Sequence, residues 1–237
     1  MLSMLKPTAF FSLGCCVASL LLGGTAQAQS ILNEEVTFEP RQDTYTFTAE
    51  AGDTVIIRMS SEEFDTFLSL IDPAGQVLEQ NDDYDGNPNA TIVNSLPTDG
   101  EYTVLAGSFY GQLGGTYQLT IETATDYQQV YDRALELMQS EDYGQAAEAY
   151  NAASALRPDE AKVYLGQADA LLRQAALNLG EDFAGPNSLP SAVRERVIQN
   201  YETAARLFNQ QGDPAFATLI LRQAEFIRSG ELADPQP

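Results

Sequence analysis

The sequence predicts a two-domain chain, β then α. An antiparallel β-sandwich, jelly-roll-like with about eight strands, is followed by a short α-solenoid of about five helices. Three observations carry this reading. Apolar residues recur at every second position up to about Thr123–Asp126, and at every third and fourth position beyond it. Turn signals punctuate the first half, and the second half is rich in Ala, Gln and Leu. No Cys lies outside Cys15-Cys16, so both halves rely on apolar cores and not on disulfides. Period two marks a half-buried strand, and a period near 3.6 marks an amphipathic helix.

The first 28 residues stand apart from both halves. Lys6 gives a positive start, Ala9 to Leu22 is apolar with only Ser and Gly interruptions, and Ala26-Gln27-Ala28 has the small-x-small pattern of a cleavage site. This reads as a Sec-type signal peptide cut before Gln29, which places the chain in the periplasm or outside the cell. A lipid-attachment box ending at Cys15 is the alternative. The apolar run is too short for a confident membrane span, and nothing later in the chain approaches one.

The strands follow in order. Tyr45, Phe47 and Ala49 share one face of DTYTFTA, with threonines on the other. Val55, Ile57 and Met59 line up next, then Leu68 and Leu70, then Tyr102, Val104 and Ala106, then Tyr117, Leu119 and Ile121. Weaker strands are expected at 34–39, 76–80 and 90–95. Turns at Ala51-Gly52-Asp53, Asp72-Pro73-Ala74-Gly75, Asp85-Gly86, Pro97-Thr98-Asp99-Gly100 and Gly114-Gly115 separate them. Gly supplies positive φ at such turns, and Pro pre-sets the first turn position. Helices are expected at 127–140, 143–156, 159–179, 191–211 and 214–229. Ser191 is the expected cap of the fourth, GEDFAGPNSLP (180–190) a loop, and Gly212-Asp213-Pro214 the last break. The domains are therefore a signal peptide over 1–28, a sandwich over 29–124, a helical domain over 125–231 and a disordered tail over 232–237.

Charge and composition exclude several functions. Asp and Glu number 34 against 12 Lys and Arg, for a net charge of −22. Such a chain does not bind nucleic acid or an anionic membrane through electrostatics. His and Trp are absent. Without His, or Cys after the leader, there is no Ser-His-Asp or Cys-His nucleophile and no His- or Cys-based zinc site. Glycine-rich phosphate loops are missing too. No cofactor is required, and no pair of carboxylates is singled out for hydrolysis.

The helical half contains a repeat. From Ala146, residues Tyr150, Ala153 and Pro158 fall at offsets 4, 7 and 12, and Ala217, Leu221 and Ala224 repeat offsets 0, 4 and 7. The two sets lie 71 residues apart, close to two periods of about 34. Tyr164, Ala168 and Leu171 fit the first helix of a unit between them. Ala at a contact lets two helices approach, and an aromatic one turn on fills the space beside it. One such pair cannot bury its apolar face alone, so pairs must stack.

On these residues the span from about Val36 to Thr123 resembles the bacterial pre-peptidase C-terminal domain. The matching pieces are DTYTFTAEAGDTVIIRM (43–59), DTFLSLIDPAGQVLEQNDD (65–83), LPTDGEYTVLAG (96–107) and GGTYQLTIE (114–122). Residues 127–231 resemble tetratricopeptide repeats: a full unit at 127–160, an irregular one at 161–197 and a degenerate one at 198–231. Val130 and Ala134 stand where that family usually has Trp and Gly. Pairing the two modules resembles an arrangement in exported cyanobacterial proteins. The resemblance implies an accessory binding module joined to an array that holds peptides or partner helices in a groove. Some relatives of the first module bind calcium, or polymers such as collagen or chitin. Neither resemblance brings a catalytic residue. The expected function is a non-enzymatic exported adaptor, with a carbohydrate- or polymer-binding module as the alternative.

Two stretches are candidate sites. In NDDYDGN (81–87), Asn81, Asp83, Asp85 and Gly86 fit the opening of an EF-hand loop. The twelfth position is Ile92, not Glu, and strands flank the stretch, so it is not an EF-hand. It is either a hairpin turn on Asp-Gly or a different calcium site, built from Asp82, Asp83 and Asp85 with a neighbour such as Asp65. Tyr84, Phe109 and Tyr110 lie at loops or strand ends, where aromatics either pack the sandwich ends or form a ligand platform. In the helices, Tyr131, Tyr143, Tyr150, Tyr164 and Tyr201 are expected in the repeat core; the alternative is that one or two of them line a peptide groove. Most basic residues are helical arginines (Arg133, Arg157, Arg173, Arg194, Arg196, Arg206, Arg222 and Arg228), which either pair with surface Glu or read an acidic or C-terminal carboxylate partner.

Overall fold

The computed structural model describes residues 4–5, 30–38, 42–109 and 115–231. The expected signal peptide, apart from Met4–Leu5, and the expected tail lie outside the described residues. The chain divides into two compact units, Met1–Gln128 and Gln129–Pro237.

The first unit holds strands β1 (Met4–Leu5), β2 (Ser30–Phe38), β3 (Asp43–Ala49), β4 (Thr54–Ser60), β5 (Thr66–Ile71), β6 (Val77–Asn81), β7 (Thr91–Ser95), β8 (Gly100–Ser108) and β9 (Gly115–Thr123). All pairings are antiparallel, in two sheets ordered β1-β3-β8-β5-β6 and β2-β9-β4-β7. From β2 to β9, successive strands distribute between the sheets in the order of an eight-stranded jelly roll. Met4–Leu5 is an addition that sequence periodicity did not predict.

The alternating residues fill the space between the sheets. Phe47, Val55, Ile57, Met59, Leu68, Leu70, Tyr102, Val104, Leu119 and Ile121 all belong to one buried cluster with 0% exposure. Phe47 and Tyr102 stack with ring centroids 5.6 Å apart. Two polar devices sit inside this core. The Tyr102 hydroxyl donates to the Thr98 carbonyl at 2.6 Å, which ties the 97–100 turn back onto β8. The Tyr45 and Tyr117 hydroxyls lie 2.6 Å apart, and Tyr117 donates to Asp43 Oδ2 at 2.8 Å, which links the two sheets. Burial, then the bonds to Tyr45 and Asp43, hold the Tyr117 phenol well above its ordinary pKa.

The turns obey local chemistry. Asp72 Oδ1 accepts from the amides of Ala74 and Gln76 at 2.9 and 2.7 Å, which closes the β5–β6 hairpin. Gly100 has φ 144°, and a Cβ there would lie 2.6 Å from Pro73 Cγ, so only glycine fits where these two turns meet.

The second unit is helical: α1 (Asp126–Gln139), α2 (Tyr143–Leu156), α3 (Ala161–Leu179), α4 (Ser191–Gln210) and α5 (Pro214–Ser229). α1 opens on a capping box. Thr125 Oγ1 accepts from the Gln128 amide, and Gln128 Oε1 accepts from the Thr125 amide at 2.8 Å. Asp142 and Asp213 cap α2 and α5 through the amides of Gln145 and Phe216. The expected Ser191 cap is corrected: Pro190 takes the capping position, Ser191 is the first helical residue, and no side chain caps α4. The 180–190 loop carries two short 3-10 turns, Gly180–Asp182 and Pro186–Ser188.

Most predicted contact positions are buried. Ala146, Ala153 and Ala168 have 0% exposure, Tyr150 3%, Ala217 4% and Ala224 1%. Leu221 departs from the pattern, with 48% exposure where the corresponding Tyr150 is enclosed. Gly166 on α3 lies directly against the Tyr150 ring, and Tyr150 meets Tyr131 of α1 edge-on at 5.8 Å. Five helices packed in this way show a helical stack; they do not by themselves show the repeat family.

Candidate functional site

The acidic stretch is a crossover and not a simple hairpin. β6 and β7 belong to different sheets, and residues 82–90 carry the chain between them. Within this crossover sits a miniature turn. Tyr84 and Asn87 exchange both backbone hydrogen bonds at 3.0 Å around Asp85 and Gly86. Both central residues have positive φ, 53° and 71°. That is a type I′ turn, for which Asp-Gly is a preferred pair. Asn81 pins the base: its Oδ1 accepts from the Thr91 amide at 3.0 Å and its Nδ2 donates to the Asp83 carbonyl at 2.9 Å.

Asp65 lies at the same end of this sheet, and its carbonyl accepts from the Phe109 amide at 3.0 Å. Its Oδ1 is buried and has no hydrogen-bond partner. Burial raises its pKa above the usual carboxylate range, and the charges of Asp83 and Asp82 raise it further. The fold thus brings Asp65, Asp82 and Asp83 into one electrostatic neighbourhood, while Asp85 serves the turn. Among the described residues, however, no three His, Cys, Asp or Glu side chains gather as ligands for a metal ion. The orphaned Asp65 oxygen is the feature a cation would satisfy, but calcium takes six to eight oxygens. The carboxylates as placed do not fit that cage, and no role is derived through calcium. Of the expected aromatic platform, Phe109 is 48% exposed, Tyr84 is partly buried within the turn, and Tyr110 lies outside the described residues.

A cleft in the helical unit is lined by no tyrosine, and the helical tyrosines serve mainly as core. Tyr131, Tyr143, Tyr150 and Tyr201 are buried. Tyr164 is half-buried, with its hydroxyl donating to the Pro158 carbonyl at 3.1 Å. The cleft of about 360 Å³ lies over α2, α3 and α4. Gly144, Ala147, Glu148 and Asn151 form its α2 wall, Gln167, Leu171 and Gln174 its α3 wall, and Arg196 reaches in from α4.

Helical spacing explains both walls. Positions i, i+3, i+4 and i+7 share one face, so Gly144, Ala147, Glu148 and Asn151 make a row, and Gln167, Leu171 and Gln174 make the row opposite. Small side chains at 144 and 147 keep the space open. Gln167 is 4% exposed, and its Nε2 donates to the Ala147 carbonyl at 3.3 Å and to Asn151 Oδ1 at 3.4 Å. Arg196 Nη2 donates to the same Asn151 oxygen at 3.2 Å.

Arg173 is held away by Asp169, at 2.9 Å, and lies over the Tyr143 ring at 5.7 Å. Its pairing resembles that of Arg58, Arg133, Arg157 and Arg228, each of which has a carboxylate. No carboxylate pairs with Arg196 among the described residues. The cleft therefore offers carboxamides, which both donate and accept, and one guanidinium without a carboxylate partner. It offers no nucleophile beside a base. Sequence reading passed over Asn151, Gln167 and Gln174. The available signal was polar residues recurring at helical spacing opposite a Gly and an Ala.

Among the described residues, no helix is long and apolar enough to cross a membrane. No curated protein matches this chain. Among solved structures, the pre-peptidase C-terminal domain of collagenase from Bacillus anthracis is 16% identical, covering 38% of this chain and 87% of that one, with a TM-score of 0.33. PliG of Aeromonas hydrophila, a periplasmic inhibitor of g-type lysozyme, is 17% identical over 41% and 86%, with a TM-score of 0.32. PliG of Salmonella Typhimurium, also a periplasmic inhibitor of g-type lysozyme, is 19% identical over 41% and 91%, with a TM-score of 0.28. Scores of this size carry no functional conclusion. Residues 41–108, within the sandwich unit, match the family model of the Bacterial pre-peptidase C-terminal domain.

Proposed function

We propose that this chain is an exported, non-catalytic binding protein. Its helical unit, read as tetratricopeptide-like, holds a protein segment, and its pre-peptidase-type sandwich serves as the accessory module. The observation that supports this most is the cleft over α2, α3 and α4, lined by Asn151, Gln167, Gln174 and Arg196. Carboxamides can match the alternating donors and acceptors of a peptide backbone. Arg196 can receive a carboxylate. The α2 wall from Gly144 to Asn151 is seven residues long, roughly 10 Å at 1.5 Å per residue. That matches about three residues of extended chain at ~3.3 Å each.

Capture of a partner from periplasmic extract by the chain beginning at Gln29 tests this reading. The control is a variant with Asn151, Gln174 and Arg196 all changed to Ala, three residues at the surface of the cleft. A partner retained by the parent and lost by the variant supports the proposal. Equal retention, or no retention by either, sinks it. The exposed Phe109 favours a second reading, a polymer-binding face on the sandwich. Co-sedimentation with chitin or collagen that disappears in Phe109→Ala would support it.

A further inference from the structure

We infer that the outer edge of β3 is a docking site for an extended segment of a partner protein, which adds antiparallel to the sheet as a further strand. Each sandwich edge has a row of backbone donors and acceptors that invites another strand, and proteins usually blunt such edges with bulges, short strands, Pro or Lys. Three of the outer strands here are blunted. β2 has a register shift against β9 between Ser30 and Leu32. β6 has one against β5 between Leu70 and Ile71, and its Glu79 accepts from Asn94 Nδ2 of β7 at 3.0 Å, a cross-tie between the two sheets. β7 is five residues long.

β3 has none of these devices. It runs seven residues, DTYTFTA, without Pro, Gly or Lys, and pairs with β8 without a break from Asp43↔Ala106 to Ala49↔Gly100. Its Tyr45, Phe47 and Ala49 point into the core, so a strand laid beside it extends both the hydrogen-bond ladder and the buried face. The structure shows this edge accepting a strand. Met4–Leu5 sits on it, antiparallel, with Met4 opposite Phe47 and Leu5 opposite Thr46. That occupant falls within residues 1–28, and the inference rests on reading these as a signal peptide, whose cleavage before Gln29 would remove Met4–Leu5 from the edge.

The edge also indicates the chemistry of its occupant. Main-chain bonds supply affinity, and alternate side chains supply specificity. Apolar residues at alternate positions suit the face shared with Tyr45 and Phe47. The chain carries a net charge of −22, so the segment is neutral or basic. The seated pair is itself apolar and is followed in sequence by Lys6. A second copy would bring another −22 and is disfavoured. This surface is independent of the helical cleft, and either proposal can fail alone.

The test is an amide NMR titration of the chain beginning at Gln29 with the peptide MLSMLK (residues 1–6), blocked at both ends. Two further peptides carry backbone N-methyl groups in the two alternate registers. Saturable shifts confined to Asp43–Ala49, abolished by one methylation register and kept by the other, are the expected result. Three results would overturn the inference: no shift on β3 at millimolar peptide; shifts indifferent to both registers, which mean side-chain adhesion; or a sedimenting dimer whose β3 amides are already protected, which assigns the edge to a second copy.

Discussion

Gly166→Ala puts the packing of the helical unit to a direct test. An added Cβ would lie 2.4, 2.6 and 2.8 Å from Cζ, Cε1 and Cε2 of the Tyr150 ring. Ordinary contact needs about 3.5 Å, so the ring or α3 must shift by roughly 1 Å. The ring has little room, since Tyr150 is 3% exposed and abuts Tyr131 edge-on. Overpacking of this kind costs about 1–3 kcal/mol. Helix propensity opposes it, because Ala is favoured over Gly by about 1 kcal/mol in a helix interior. The net expectation is a loss of about 1 kcal/mol, or ~4–8 °C for a unit of this size. Thermal unfolding followed by helical circular dichroism reads this change. Gly144→Ala is the internal comparison. Its Cβ would meet the flexible end of Gln174 at 3.1 Å, so propensity dominates and stability holds or rises by a few tenths of a kcal/mol, about what a first-turn position gives. If Gly166→Ala melts at or above the parent temperature, the close approach of α3 to the Tyr150 ring is wrong.

Four further outcomes are expected. Tyr117→Phe removes the bonds to Asp43 and Tyr45 inside the sandwich and should lower stability by about 1–3 kcal/mol in urea titrations; a neutral result would mean the two sheets are not linked there. Tyr117 and Tyr201 both titrate above the free phenol, with Tyr201 pushed up to about 12 by burial first and by Asp169 second, against a lowering from Arg173. The neutral forms are favoured in the fold, so this stability is complete below the unfolded value of about 10 and is lost as pH rises beyond it. Ultraviolet titration should show two late tyrosinates that appear with unfolding. Asp65 has the same sign on the acid side: its raised folded pKa means that its charged form opposes folding at neutral pH. Asp65→Asn should therefore raise the melting temperature at pH 7 and flatten its rise on mild acidification, and a lower melting temperature would contradict this. Millimolar calcium should leave the melting temperature unchanged, because no three carboxylates gather as ligands among the described residues; binding at a hundredfold excess over Kd would add about 2.7 kcal/mol, and such a rise would show that the carboxylates around Asp65 converge on the ion.

The strand core was legible because period two admits one inward set: Tyr45, Phe47, Val55, Ile57, Leu68, Tyr102 and Leu119 could not all face water. The helix ends were legible where Asp142 and Asp213 supply caps, and not at Ser191, where Pro190 already fixes the entry of the chain. The crossover between β6 and β7 was hidden, since a turn pair such as Asp85-Gly86 reads alike within one sheet and between two. The cleft residues were hidden for a related reason. Asn151, Gln167 and Gln174 resemble a solvated helix face until a neighbouring helix is laid beside them. The strand on the edge of β3 could not be anticipated at all, because pairing between distant segments leaves no local period.

A photoreactive phenylalanine in place of Gln174, in the chain beginning at Gln29, tests the binding proposal most directly. Irradiation in periplasmic extract should link it to a protein, through an extended segment identifiable by peptide mass. The same group in place of the exposed Gln199, outside the cleft, should not be linked to that protein. No adduct at Gln174, or equal adducts at both positions, would contradict the account.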